Sequence, residues 1–243
     1  MIRTCIVIPA AGSGTRLGAG IPKAFAELAG TTLLEHCVRG ALASGVADHI
    51  VVAVPEAFLV AAREILGTAA EVVAGGADRV ASVRQALAAA QQSGPGIDAV
   101  LVHDAARCLT PAAVFTRVCD ALAAGAPAVV PVMPVTDTIK RVETLRSPCA
   151  AAGGERVIGN VDREQLRRVQ TPQGFAVEVL EEAHALQAHD PITATDDAML
   201  AERLGHEVRA VAGDERALKI THPLDMRIAE LLLDDATAGG QTR

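Results

Sequence analysis

Lys23, Lys140 and Lys219 are the only lysines among 22 basic residues; all the rest are Arg. A compact ammonium on a flexible stem and a planar guanidinium fork do different chemistry. In a chain this biased toward Arg, the surviving lysines either mark positions where a point charge is needed or are scattered without meaning; their surroundings favour the first. Each lies in a segment whose other residues suit phosphate handling. Lys23 follows Pro22 and shares a loop with Arg16; Lys140 closes Thr136-Asp137-Thr138-Ile139-Lys140; Lys219 stands in Leu218-Lys219-Ile220-Thr221.

The loop ahead of Lys23 reads Pro9-Ala10-Ala11-Gly12-Ser13-Gly14-Thr15-Arg16. Small residues let a backbone approach a phosphate chain, and successive N–H groups form an anion cradle. The string lacks the GK[ST] ending of a P-loop. Leu17 occupies the third Gly position of a dinucleotide fingerprint, and no acidic residue closes the second strand. By itself it is equally an ordinary tight βα turn; Arg16 and Lys23, two permanent cations on the same loop, favour phosphate binding. Gly75-Gly76 with Arg79 and Ser82 is a second place where a flat base could lie against backbone, or a plain loop before a helix. Asp104, in Val102-His103-Asp104-Ala105-Ala106-Arg107, ends a strand where doubly wound folds bind ligands, and suits a Mg²⁺ held mainly by substrate phosphates and water. Its bland alternative is a turn cap. Arg163, Thr171-Pro172-Gln173 and Thr195-Asp196-Asp197 are weaker candidates, the last equally a helix cap.

The elements that must carry these residues alternate. Apolar runs at 2–9, 49–54, 71–74, 99–103, 128–133 and 207–211 read as strands. Between them, 32–42, 57–66, 79–92, 111–124, 177–188, 196–204 and 224–233 read as helices. Unbroken apolar strands separated by helices imply a mostly parallel, doubly wound α/β sheet covered on both faces. The alternation lapses at 135–173, where 138–142 and 156–161 can pair as a projecting β-arm suited to a dimer contact. One domain over 1–234 and a flexible tail from 235 are expected.

Composition excludes several classes. A net charge of −7 and the lack of Trp and Tyr argue against nucleic-acid binding. No run approaches the roughly 20 apolar residues of a membrane span, and the start lacks the layout of a signal peptide, so a cytoplasmic protein without membrane partners is expected. Five cysteines without CxxC, and seven His without HxxxH, give no zinc pattern. Cys5 and Cys37 fall in apolar stretches and read as buried thiols.

Taken together, PAAGSGTRLG…PK, GGxxRxxSV, VHDAAR, TDTIKR, VDR, TPQ, TDD and LKIT, in this order and spacing, resemble one family along nearly the whole chain. It is the 2-C-methyl-D-erythritol 4-phosphate cytidylyltransferases of the non-mevalonate isoprenoid pathway. The resemblance implies a homodimer, joined through the β-arm, that uses Mg²⁺ to join CTP to a sugar-alcohol phosphate, releasing pyrophosphate. It implies that Arg16 and Lys23 hold the triphosphate and stabilise the transition state. Pro9, Ala10, Ala11, Gly12 and Gly14 would wrap the nucleotide, with Gly76 and Ser82 on the cytosine. Asp104 would sit at the metal and nucleotide, and Lys219 would bridge the two phosphates. Thr138 and Arg163 would reach the neighbouring subunit's sugar phosphate, with Thr171 and Thr195 completing that pocket. The sequence departs from the pattern at Ala77, where some members are acidic, and at Cys108, where Pro is common. Rival readings are a ribitol-5-phosphate cytidylyltransferase and a non-catalytic nucleotide-binding module. A metal-dependent glycosyltransferase is disfavoured because no DxD occurs.

Overall fold

The structure, a computed structural model, describes residues 2–12, 20–92, 96–144 and 154–239. Gly14 and Arg16 of the expected phosphate loop, and Cys149, lie outside these described residues.

The chain opens with β1 (Thr4–Pro9), a single 3-10 turn at Lys23–Phe25, and the short pair β2 (Glu27–Leu28) and β3 (Thr31–Thr32). Then come α1 (Leu33–Ala43), β4 (His49–Val54), α2 (Leu59–Leu66), β5 (Glu71–Ala74), α3 (Arg79–Gln92), β6 (Ala99–Val102), α4 (Ala112–Ala123) and β7 (Ala128–Pro134). A hairpin follows, β8 (Ile139–Thr144) and β9 (Glu155–Val161), then β10 (Arg167–Val169) and β11 (Gln173–Ala176). The chain ends with α5 (Val177–His189), α6 (Asp197–Arg203), β12 (Val208–Ala212) and α7 (Pro223–Gly239).

β1 shows why a continuous apolar run was needed. Ile6 and Ile8 enter one core, with α1, α2, α4 and Ala229 of α7; Cys5 and Val7 enter the other, with α3, α5 and α6. A strand buried on both faces has no polar side to show. β1, β4, β5 and β6 run parallel, in the order β5-β4-β1-β6, and β12 runs parallel to β7. The expected doubly wound, mostly parallel sheet is present.

Beyond the short pair β2 and β3, two strands of the main sheet were not foreseen. β11 inserts between β6 and β7, antiparallel to both, and β10 pairs antiparallel with the end of β7. The register on β7 slips by two residues between β10 and β11, across 170–172. Gln-Gly-Phe-Ala has one large apolar residue and no pattern, so nothing local announces a central strand. Gly174 is required there by packing. A Cβ would stand 2.4 Å from Val118 Cγ1 and 2.8 Å from Leu122 Cδ1, both on α4. Gly174→Ala is therefore expected to destabilise the fold by about 1–3 kcal/mol, the usual cost of overpacking, in a urea unfolding curve.

The arm is shorter than the expected 135–173: its hairpin covers only β8 and β9, and the chain is back in the main sheet by Arg167. α7 continues to Gly239, past the expected end at 233. Among the described residues, no helix is long and apolar enough to cross a membrane. Cys5 and Cys37 are buried as expected, and burial pushes the Cys5 thiol up to about 12.

Candidate functional site

The parallel strands β1, β4, β5 and β6 all end at one edge of the sheet, where doubly wound folds hold their ligands. Backbone bonds carry the ladder past the strand ends: Ala10 N–H to Ala53 O at 2.7 Å, Gly75 N–H to Val54 O at 2.7 Å and His103 N–H to Val7 O at 2.8 Å. Three loops thus leave the sheet side by side. They enclose a cavity of about 390 Å³, a usual size for a small-molecule site.

Pro9, Ala10, Ala11 and Gly12 form one wall; Gly76, Ala77, Asp78, Arg79 and Ser82 form a second. Asp104, Lys23 and Lys219 also line it. The second wall needs its glycines. A Cβ on Gly75 would lie 2.7 Å from Ala11 Cβ, and one on Gly76 would lie 2.4 Å from Ala81 Cβ. Ser82, expected at a base, also shapes this loop: its Oγ accepts from Gly76 N–H at 3.1 Å and donates to Asp78 O at 2.7 Å.

Lys23 leaves the first residue of the single turn Lys23–Phe25, set by Pro22 through Phe25 N–H to Pro22 O at 2.9 Å. Lys219 is brought in by a strap. Ile220 N–H donates to Ala106 O at 2.8 Å, and Arg107 Nη1 donates to Ala217 O at 2.7 Å. Lys219 Nζ then donates to Asp104 Oδ2 at 2.8 Å, across 115 residues of sequence. Lys140 is elsewhere, on β8, donating to Asn160 Oδ1.

Asp104 is gripped from both sides. Arg79 Nε donates to its Oδ1 at 3.1 Å, opposite Lys219 on Oδ2. Burial alone would raise this carboxyl. The charges and hydrogen bonds of Arg79 and Lys219 outweigh that and hold it well below its ordinary 3.8, so it is ionised at neutral pH.

The expected acceptor residues do not line this cavity in one chain. Thr138 and Arg163 sit at the base of the β8–β9 hairpin, exposed, with Arg163 Nη1 donating to Thr136 O. Thr195 is exposed just before α6. Thr171 is buried beneath Asp104. Its Oγ1 accepts from Asp104 N–H at 3.0 Å and shares a hydrogen bond with His103 Nδ1 at 2.9 Å. Burial pushes the His103 imidazole down to about 4, which keeps it neutral at neutral pH.

Comparison with known proteins gives this arrangement a family. The family model described as 2-C-methyl-D-erythritol 4-phosphate cytidylyltransferase matches residues 4–235. The chain belongs to this family. It is 49% identical over 229 residues to the 2-C-methyl-D-erythritol 4-phosphate cytidylyltransferase of Rhodococcus jostii, covering 94% of each chain. It is 49% identical over 234 residues to that of Nocardia farcinica, covering 96% of this chain and 94% of the relative. The crystal structure of the Thermus thermophilus cytidylyltransferase matches with a TM-score of 0.73 at 38% identity, covering 96% of this chain and all of that one.

Within this cytidylyltransferase chain, the donor set at Asp104 can be tested against a magnesium ion. Each Asp104 oxygen accepts one protein hydrogen bond and keeps a further lone pair. Among the described residues no group of three or more His, Cys, Asp or Glu converges. A single ionised carboxylate lining a cavity with Lys23 and Lys219 suits an ion carried in largely by substrate and water rather than caged by protein.

Two residues at or behind the cavity stood in candidate segments without an individual role. Arg79 stands in GGxxRxxSV and Asp197 in TDD, yet nothing local says that they meet, 118 residues apart, beside Asp104. Of the two departures, Ala77 lines the cavity, whereas Cys108 is buried in the core, where burial pushes its thiol up to about 12.

Proposed function

We propose that this chain transfers CMP from CTP to 2-C-methyl-D-erythritol 4-phosphate at the cavity between the 9–12 loop, the 76–82 wall and Asp104. The observation that carries this is the presence of Lys23 and Lys219, far apart in sequence, on the walls of one cavity with a small-residue loop and an ionised carboxylate.

An acceptor phosphate oxygen forms a bond to the α-phosphorus of CTP while the bond from that phosphorus to the bridging oxygen breaks, and pyrophosphate departs with the electron pair. The attacking phosphate is already ionised at neutral pH, so no general base is required. The obstacle is charge: two unit anions about 5 Å apart at an effective dielectric near 20 repel by about 3 kcal/mol. Cations and positioning are therefore the protein's whole task. Ala10, Ala11, Gly12 and Gly14 let backbone N–H groups approach the triphosphate. Lys23 and Arg16 offset its charge, and Lys219 spans donor and acceptor phosphates. Gly76 and Ser82 hold the wall against which the cytosine lies. Asp104 would hold Mg²⁺ together with triphosphate oxygens and water. Bound there, the ion would neutralise phosphate charge and polarise the reacting phosphoryl group.

The sugar-phosphate pocket is read as shared between two copies. Thr138 and Arg163 stand beside a hairpin that, among the described residues, pairs with no main-sheet strand, and the arm's Val142, Val157 and Ile158 are exposed. A second copy covering these residues would bring Thr138 and Arg163 toward its own cavity, beside Thr171 and Thr195.

Pyrophosphate release with CTP and 2-C-methyl-D-erythritol 4-phosphate, compared with ribitol 5-phosphate and with ATP, GTP and UTP, tests the reading. Release with the first pair alone is expected. Preference for ribitol phosphate would reassign the acceptor, and CTP binding without release from any acceptor would reduce the chain to a binding module. Sedimentation should give a dimer, converted to monomer by Val157→Asp with Ile158→Asp.

A further inference from the structure

We propose that Asp197 is a positioning residue for this reaction: clamped by His184, it holds Arg79 so that Arg79 keeps the Asp104 carboxylate aimed into the cavity. The inference rests on reading that cavity as the CTP site. Asp197 is fully buried and does not line the cavity, so it touches neither nucleotide nor acceptor. Both its oxygens are taken: Oδ2 accepts from Arg79 Nη1 at 2.5 Å, and Oδ1 from His184 Nε2 at 2.9 Å. The same guanidinium turns its Nε to Asp104. One planar group thus spans a buried carboxylate and the cavity carboxylate, with its two ends fixed in one geometry.

The foot of this strut is itself held. Asp197 opens α6, where Ala198 N–H donates to Gln173 Oε1 at 3.1 Å and Gln173 Nε2 donates to Asp196 Oδ2 at 2.8 Å. α6 is therefore tied to β11, the strand beside β6, whose end carries Asp104. The other grip on Asp104 is less secure. Lys219 has a side chain 43% exposed, against 27% for Arg79, and must turn to phosphate when ligands enter. At that point Arg79 is the remaining protein side chain on the Asp104 carboxylate, and without Asp197 it would be a long side chain with one carboxylate partner. Stability alone does not account for the arrangement. Buried ion pairs seldom improve on apolar packing, and Ala198, Ala201 and Leu180 belong to the neighbouring apolar core.

Asp197→Asn keeps the shape and removes the charge. The expected result is a fall in kcat on the order of 10²-fold, as for a misplaced catalytic group, with calorimetric CTP affinity within about threefold of the parent. His184→Leu, which keeps both charges, should lower kcat about tenfold, and His184→Gln, which restores a donor to Asp197, should recover most of it. Unchanged kcat in Asp197→Asn overturns the proposal, as does loss of CTP affinity in step with kcat. If Asp197→Asn does not fold, the His184 pair decides: parental kcat in His184→Leu, or no recovery in His184→Gln, overturns it. Failure of the parent chain to bind CTP would instead remove the site reading, and this inference with it.

Discussion

Lys23→Ala lowers turnover on the order of 10²- to 10³-fold, the usual loss when one preorganised transition-state donor is removed. The more demanding expectation is that Lys23→Arg and Lys219→Arg are also badly impaired, although both keep a permanent charge. Lys23 lines a cavity whose wall also holds the small residues Ala10, Ala11 and Ala24, a setting that suits a compact ammonium better than a broad planar fork. At 219 the reason is different. Nζ lies 2.8 Å from one oxygen of Asp104 and can exchange that contact for a phosphate oxygen. A guanidinium there would engage the carboxylate bidentately and stay with it, withholding its charge from the reacting phosphates. Steady-state pyrophosphate release with each variant checks this. Near-parental turnover in both Arg variants would show that only charge matters, and the significance read into the retained lysines would be lost.

Asp104→Asn separates binding from chemistry. Removing an anion from a site that receives polyanions should tighten CTP binding in the absence of divalent ions, while kcat falls on the order of 10²-fold as the positioned carboxylate is lost. Calorimetry without divalent ions and turnover with them give the two readouts, and parallel changes in both would count against the assigned role. The same substitution should destabilise the fold by about 3 kcal/mol, the low end for breaking a buried pair. Arg79 retains Asp197, and Lys219 can turn to solvent. Its pH dependence has a definite sign. The folded-state carboxyl lies below its ordinary 3.8, so its contribution to stability is present above that pH and is lost as pH falls below it. The Asn variant should lack this part of the acid-unfolding profile, leaving a shallower fall below about pH 4.

Local residue choice determined a great deal. Strands apolar on both faces demanded a covered parallel sheet, and β1, β4, β6 and β7 stand where their apolar runs predicted. The small-residue loop, the glycine pair and the strand-end Asp104 each named their positions, because backbone clearance and strand termini follow from local composition. Lys23 and Lys219 stood out by residue type alone, but so did Lys140, which stands on β8 and does not line the cavity. Which groups meet was decided only by the tertiary structure. The Asp104–Lys219 contact spans 115 residues and the Arg79–Asp197 contact 118, and no periodicity encodes such pairings. β11 escaped notice because its place between β6 and β7 is set by Gly174 fitting against Val118 and Leu122 of α4, a steric fit with no sequence period. Thr171 stood in the sequence only as a candidate for the acceptor pocket; its place under Asp104, hydrogen-bonded to His103, follows from the antiparallel turn-back that brings 171 beside the end of β6. Chemistry that depends on one residue's own character is written locally, whereas chemistry that depends on two residues meeting is written in the packing of the sheet.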